Sequence, residues 1–398
     1  IPSQPPIENY LQIPYNGREN DTKNNLTYRH IVEIKGDCME KAIIAMSGGV
    51  DSSVAALLTK EAGADCIGVM LKLYENEDLG IERTKTCFSL DDAQDARAVA
   101  YKLDMPFYIF NFSEHFHGAV IERFIEAYRN GCTPNPCIDC NRYLKFGKLF
   151  QRMNELQRDF IVTGHYARVE KDTESGRYLL KKGLDATKDQ SYVLYDLTQE
   201  QLAHVRFPLG AYRKEDIRRI AEEHGFVNAA KPDSQDICFV PDGDYARAIS
   251  RFTDEMLPPG DFVDTEGKVL GQHEGIEHYT IGQRRGLKLA AGKRIYVTDI
   301  RPSDNTVVLG KNEDLFHREL TADEVNMIAF EKISEPIRVK AKIRYRHKEA
   351  PALAWQTEDG KLHLKFDEPQ RAITKGQAVV LYNDELVIGG GRICEIGA

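Results

Sequence analysis

From residue 39 onward, short apolar runs alternate with segments whose apolar residues recur at helical spacing. The run "KAIIAM" predicts a buried strand. "DSSVAALLTKEAG" predicts a helix with Ala55, Leu58 and Ala62 on one face and Gly63 closing it. "DCIGVMLKLY" predicts the next strand, "LDDAQDARAVAYKLD" a helix opened by acids, and "PFYIFNF" a third strand. Helices are expected over "EHFHGAVIERFIEAYRNG", "YLKFGKLFQRMNEL" and "SYVLYDLTQEQLAHV", and a further strand over "DFIVTGHY". Strands alternating with helices imply an α/β fold, a parallel sheet covered on both faces. Right-handed crossovers then bring the strand C-termini to one edge, where ligands bind.

The texture changes near residue 247. Pro258-Pro259-Gly260 and "TEGKVLGQHEG" are rich in turns, and from about 335 "IRVKAKIRYRH", "PALAWQTEDGKLHLKFD" and "QAVVLYNDELVIGGGRI" alternate with Asp-Gly and Asn-Asp turns. These predict a small β-rich central domain followed by an antiparallel β-barrel. The expected division is an extension outside the fold at 1–38, an α/β domain at 39–247, a central domain at 248–313 and the barrel at 320–398.

Charge narrows the choice of partners. The chain has 398 residues, with 53 Lys and Arg against 62 Asp and Glu, a net −9. Duplex DNA binding by blanket attraction is disfavoured, whereas a folded RNA gripped by a few shaped contacts remains open. No apolar run reaches the roughly 20 residues of a membrane span, and no secretory leader pattern is visible, so a cytoplasmic protein is expected. Eight cysteines without a leader fit a reducing compartment. Cys38, Cys66, Cys87 and Cys394 have no neighbour at ligand spacing and read as ordinary thiols.

Two stretches carry candidate chemistry. In "AMSGGVDSS", Ser47-Gly48-Gly49 falls between strand and helix, where glycines admit a ligand close to the backbone and free amides point at it. The natural guest is a phosphate. The lysine of the usual phosphate loop is missing, and Asp51 would repel a phosphate unless a cation intervenes. Asp51 is therefore expected to hold magnesium or to order the loop amides. The second stretch, "GCTPNPCIDCN", holds Cys132, Cys137 and Cys140, with Cys238 further on in "KPDSQDICFV". Cys140 should lie near a helix N-terminus, with Arg142 and Lys145 favouring its thiolate. Spacing alone leaves a structural metal site, sulfur chemistry and buried thiols all open.

"SGGVDSS", "TPNPCxxCN", "TGHYAR", "KDQSYVLY", "DSQDICF" and "YTIGQRRGL" occur in that order. The first resembles the pyrophosphate-binding loop of the PP-loop ATP pyrophosphatase superfamily. Together they resemble the bacterial tRNA-specific 2-thiouridylase family over the chain from Met39 onward. The resemblance implies a sulfurtransferase that uses ATP and Mg2+ to adenylate the C2 oxygen of the wobble uridine of tRNA. Sulfur passed on by an upstream sulfur-donor protein then displaces AMP. It implies Cys140 as the nucleophile and Cys238 as the persulfide carrier, with a disulfide between them as an intermediate. It assigns Ala45, Met46, Ser47, Gly48, Gly49, Val50, Asp51 and Ser52 to the nucleotide loop. Leu71 and Gly164 fall at adenosine-contacting positions, and Asn135, Pro136 and Cys137 at the target base. His165, Lys188, Asp189, Gln190, Arg344, Tyr345 and Gln377 fall at tRNA-facing positions.

The chain departs from the family where some relatives carry an aspartate in place of Cys137. Cys137, Cys140 and Cys238 then suggest a second route, a 4Fe–4S cluster with one open iron for sulfide. His165 also reads as a satisfied turn histidine, and Asp189 and Gln190 as helix caps. Outside this family, the loop alone fits a ligase acting on a small molecule, and the cysteines alone a metal-bound RNA-binding module.

Overall fold

The computed structural model describes residues 39–74, 90–233, 237–240, 242–253, 255–289 and 294–397. The expected extension at 1–38, Cys38, Cys87 and residues 234–236 of "DSQDICF" lie outside the described residues.

Five strands form the first sheet: β1 (Lys41–Ala45), β2 (Asp65–Lys72), β3 (Phe107–Asn111), β4 (Phe160–Val162) and, after a hairpin of β5 (Ala167–Lys171) and β6 (Tyr178–Lys182), β7 (Val205–Arg206). Their order is β3-β2-β1-β4-β7, all parallel. Alternation along β1 shows why the sheet is covered on both sides. Ala42 and Ile44 face a core built with Val54, Leu58 and Ile217, while Ile43 faces Phe116, Phe124 and Leu144. Side chains with a period of two are buried on both faces, so the strand reads as a continuous apolar run. Chain order reverses between β1 and β4, which opens a crevice at their C-terminal ends.

Two helical expectations change. The helix before β4 begins at Pro136, well ahead of Tyr143. Asn135 caps it by accepting the Cys137 amide, and Pro at the first turn forfeits no bond. From Cys140 to Lys148 the helix widens to π geometry, and Leu149 N–H closes onto Leu144 O. The helix expected over "SYVLYDLTQEQLAHV" is instead a 3-10 turn at Ser191–Leu194 and a short helix at Gln199–Ala203, which begins with a Thr198–Gln201 capping box.

The middle sheet has the order β10-β11-β8-β9, from β8 (Gly260–Asp264), β9 (Val269–His273), β10 (Tyr296–Arg301) and β11 (Thr306–Gly310). The last unit contains β12 (Phe316–Met327), β13 (Ile337–Lys342), β14 (Ala350–Gln356), β15 (Leu362–Arg371), β16 (Ala378–Asn383) and β17 (Leu386–Ile396). β12 pairs with both β15 and β17, which closes an antiparallel barrel of these strands. The β5–β6 hairpin, early in sequence, joins this barrel through Leu386 and Lys181.

Candidate active site

One cavity of about 1240 Å³ opens at the C-terminal edge of the first sheet. Ala45, Met46, Ser47, Asp51 and Ser52 line it, as do Leu71, Gly164, Asn135, Pro136, Cys137, Cys140 and Cys238. Its far walls come from the middle unit (Glu277, Thr280, Gln283) and the barrel (Arg344, Tyr345, Arg371, Gln377). Ser47 of the serine–glycine turn, Cys140 and Cys238 therefore share one crevice.

The loop is held by short local bonds. Ser47 N–H donates to Ser52 Oγ at 3.2 Å, and Ser52 and Ser53 hydroxyls donate to Gly49 O at 3.0 and 3.1 Å. Gly48 sits at φ +78, and a Cβ there would lie 2.4 Å from Asp92 O at the start of the Leu90–Lys102 helix, so only glycine fits. Gly48 and Gly49 shape the turn without lining the cavity wall, and Val50 is buried in the core. Asn228 Nδ2 reaches Gly48 O and Ser53 Oγ, both at 2.9 Å. The amides at the head of the Val50–Glu61 helix thus face the cavity end of β1.

Asp51 resolves the charge problem in a way the sequence did not reveal. Its Oδ1 and Oδ2 accept from Lys214 Nζ at 2.7 and 2.8 Å, and Oδ1 accepts from Tyr166 Oη at 2.7 Å. The cation beside the loop carboxylate is a lysine of the chain itself, delivered by the helix Lys214–Glu223. Lys214 also pairs with Asp233 at 2.8 Å, and Asp233 with Lys188 and Arg218 at 2.7 and 2.8 Å. Burial alone would raise the Asp233 carboxyl, but hydrogen bonds from Lys188 and Lys214 bring it down to about 2. Gly164 closes the group: a Cβ there would come within 2.9 Å of Asp51 C and Ser52 N. Lys214, Tyr166 and Asn228 were missed because each acts across more than a hundred residues, the Asp51–Lys214 separation being 163, and Asp233 because its role depends on Lys214.

Cys137 is exposed and Cys140 buried on the first turns of the Asn135-capped helix, and Cys238 is half-buried opposite them. Tyr74 Oη donates to Cys238 O at 3.3 Å. Lys145 shares the cavity with Cys140, but Arg142 does not: its guanidinium is tied to Asp196 at 3.0 Å and Glu324 at 2.9 Å. The expected help from Arg142 to the Cys140 thiolate is therefore replaced by a structural bridge to the barrel. Cys137, Cys140 and Cys238 line one wall system, yet among the described residues no group of three or more His, Cys, Asp or Glu side chains is disposed around a common metal position. As placed, they do not fit a cluster.

The positions expected to face tRNA divide into two sets. His165, Gln190, Arg344, Tyr345 and Gln377 line the cavity, and Lys188 and Asp189 do not; Gln190 Oε1 accepts from Tyr166 N–H and Tyr345 Oη donates to Asp189 O. Asp189 takes the capping role, accepting from Ser191 N–H, Ser191 Oγ and Gly183 N–H. Lys188 is paired with Asp233. His165 is buried between Phe146 and Phe207, with Nδ1 2.6 Å from Thr163 Oγ1. Burial, helped by Lys145, pushes its imidazole well below its ordinary value. Arg344 and Gln377 point into the protein as well as the cavity, in contacts developed below.

Three family models match the chain in succession: the "tRNA methyl transferase HUP domain" over residues 40–242, the "tRNA methyl transferase PRC-barrel domain" over 248–311 and the "Aminomethyltransferase beta-barrel domain" over 317–393. The tRNA-specific 2-thiouridylase MnmA of Clostridioides difficile is 51% identical over 354 residues, covering 89% of this chain and 98% of that protein. That of Acetivibrio thermocellus is 49% identical over 358 residues, covering 89% and 99%. Among solved structures, the U34-tRNA thiolase NcsA of Methanococcus maripaludis, with its [4Fe-4S] cluster, overlaps 56% of this chain and 74% of that one with a TM-score of 0.32 and 16% identity, too slight a likeness to transfer its cluster. Identity of this degree over nearly the whole length of the relatives, joined to the glycine turn and the paired cysteine segments on one cavity, places the chain in the tRNA-specific 2-thiouridylase family.

Proposed function

We propose that this chain 2-thiolates the wobble uridine of tRNA in the cytoplasm, using ATP for activation and a cysteine persulfide for sulfur. The observation that carries the reading is the shared cavity of Ser47, Cys140 and Cys238. The triphosphate lies over the serine–glycine turn, with the adenosine towards Leu71 and Gly164. Asn135, Pro136 and Cys137 receive the base. The C2 oxygen attacks the α-phosphorus and pyrophosphate leaves, held by the amides that open the first helix. A poor leaving group, a urea-like oxygen, becomes a good one. Asp51 also offers Oδ2, which takes one donor, as a ligand for the magnesium that accompanies ATP and offsets its charge.

The sulfur step balances as follows. The Cys140 thiolate attacks Sγ of the Cys238 persulfide, a Cys140–Cys238 disulfide forms, and the terminal sulfur leaves as hydrosulfide. Hydrosulfide adds at C2 and AMP departs. A thiol reductant then returns two electrons to the disulfide, and an upstream protein reloads Cys238 with sulfane sulfur. The cysteines as placed support no step through a cluster.

Reduced protein, charged with sulfane sulfur and given unmodified tRNA and ATP, should form one AMP per 2-thiouridine. Cys140→Ser and Cys238→Ser should each abolish thiolation while tRNA affinity stays within a few-fold. Full activity of either variant removes its assigned role. ATP–pyrophosphate exchange that needs no RNA would instead identify a ligase acting on a small molecule.

A further inference from the structure

The "YTIGQRRGL" motif and the turn before β16 have no chemical role in the reaction above, yet both touch the segment that leads into Cys137 and Cys140. Residues 131–135 run between them. On the barrel side, Thr133 N–H donates to Lys375 O at 2.8 Å, and Gln377 Nε2 donates to Thr133 O at 2.7 Å and to Pro134 O at 3.3 Å. Gly376, at φ +87, lies flat on the segment; a Cβ there would stand 2.9 Å from Cys132 Cβ and 3.1 Å from Thr133 N. On the other side, Thr133 Oγ1 meets Thr280 Oγ1 at 3.5 Å, and Gly131, at φ +67, backs onto Ile300 and Pro302. Arg344 ties the two flanks together: its Nη2 donates to Ile281 O at 3.2 Å, to Ala372 O at 3.0 Å and to Thr374 Oγ1.

The segment is tied to its own domain only at its ends, where Gly131 and Cys132 N–H donate to Tyr128 O and Ala127 O and Ile138 N–H donates to Asn135 O. Pro134 and Pro136 have no N–H to give, so the Thr133 amide and the Thr133 and Pro134 carbonyls between those ends look outward for partners. Every outward partner named above comes from the middle unit or the barrel. Those two flanks therefore set the course of the middle of the segment that leads into the cysteines, and displacement of a reacting atom by about 1 Å can cost roughly a hundredfold in rate.

We propose that the barrel turn Thr374–Gln377 and the middle-unit turn Thr280–Gln283 form a two-sided seat for the cysteine segment, with Gln377 as a positioning residue for Cys137 and Cys140. This rests on the reaction proposed above for its consequence, but the seat itself can be tested without it. Gln377 acts through the protein, by way of two carbonyls.

The test uses Gln377→Met, which keeps the length of the side chain and removes the donor, in the full chain after reduction. Two readouts decide. In steady-state thiolation, kcat should fall by about ten- to a hundredfold while KM for tRNA and the tRNA dissociation constant stay within about twofold. In iodoacetamide labelling followed by peptide mass spectrometry, without ATP or tRNA, Cys137 should react severalfold faster while Cys66 and Cys394 keep their wild-type rates. Gly376→Ala, which presses on Cys132 without removing any polar group, should give the same signature and guards against a folding failure of the first variant. An unchanged Cys137 labelling rate together with weaker tRNA binding and normal kcat would overturn the seat and make Gln377 an RNA contact. If the wild-type chain makes no 2-thiouridine, the proposed reaction fails, and the labelling rates still judge the seat.

Discussion

Lys214→Met tests the claim that a lysine of the chain neutralises the carboxylate at the phosphate turn. In the structure Lys214 Nζ stands 2.7 Å from Asp51 and 2.8 Å from Asp233. Removing it leaves Asp233 with Lys188 and Arg218, and Asp51 with only the Tyr166 hydroxyl. The fold should survive, because Asp51 and Asp233 keep side-chain exposures of 31% and 24% and water can solvate them. The penalty falls on the incoming phosphates. A bare carboxylate about 6 Å from one phosphate charge costs roughly 3 kcal/mol at an effective dielectric of about 20. That corresponds to about a hundredfold weaker ATP binding. Equilibrium dialysis with a non-hydrolysable ATP analogue measures it directly, and tRNA affinity should not move. Measured without magnesium, which Asp51 is proposed to ligate, the double variant Lys214→Met with Asp51→Asn should regain most of the lost nucleotide affinity, since the uncompensated charge is gone. Nucleotide affinity of Lys214→Met within about threefold of wild type, or a double variant worse than either single one, would refute the electrostatic argument.

Gly164→Ala should drive a methyl group into the backbone of Asp51 and Ser52, costing about 1–3 kcal/mol in thermal stability and most of the ATP affinity; a variant with normal nucleotide binding would show that β4 and the phosphate turn are not in contact. Asp196 is pushed by burial up to about 6, against the pull of Arg142. Its folded value exceeds its unfolded one, so the native state binds the extra proton and stability should decline as pH rises from about 4 to about 6, by up to ~3 kcal/mol. Denaturant titrations across that window check this, and Asp196→Asn should flatten the decline; an unchanged slope in the variant assigns it to other groups.

The parallel sheet was legible because its signal is local: "KAIIAM" and "DCIGVMLKLY" are buried runs on both faces, and Gly48 and Gly63 punctuate the intervening helix. The early helix start at Pro136 was hidden because its first turn carries no apolar periodicity, only a cap and a proline. The break at Asp196–Thr198 had a visible signal, the Thr198-x-x-Gln201 capping box, which the apolar spacing of "SYVLYDLTQEQLAHV" overrode. Lys214 was not legible at all. In "YRKEDIRRI" it looks like any lysine at the head of a charged helix, and only the fold brings it to Asp51. The same holds for the β5–β6 hairpin, whose union with β17 depends on a pairing across the chain.

Lys214 shows how an acidic chain prepares a site for a polyanion. The acids on the cavity wall are already occupied from behind. Asp51 is held by Lys214, Asp242 faces Arg247 and Arg251, Asp244 caps the Tyr245–Phe252 helix, and Glu277 accepts from the Leu257 amide. Lys145 and Arg371 stand on the same wall, and among the described residues the Arg371 side chain meets Asn312 and the Tyr296 ring, both uncharged. Net charge therefore misleads about this crevice. The chain as a whole carries −9, yet of the four wall carboxylates Asp51 and Asp242 have their charge offset by lysine and arginine partners, while Asp244 and Glu277 are held by backbone amides. A site of that design attracts a phosphate at short range without a basic face at long range, so recognition must come from the shape of the RNA at the cavity mouth.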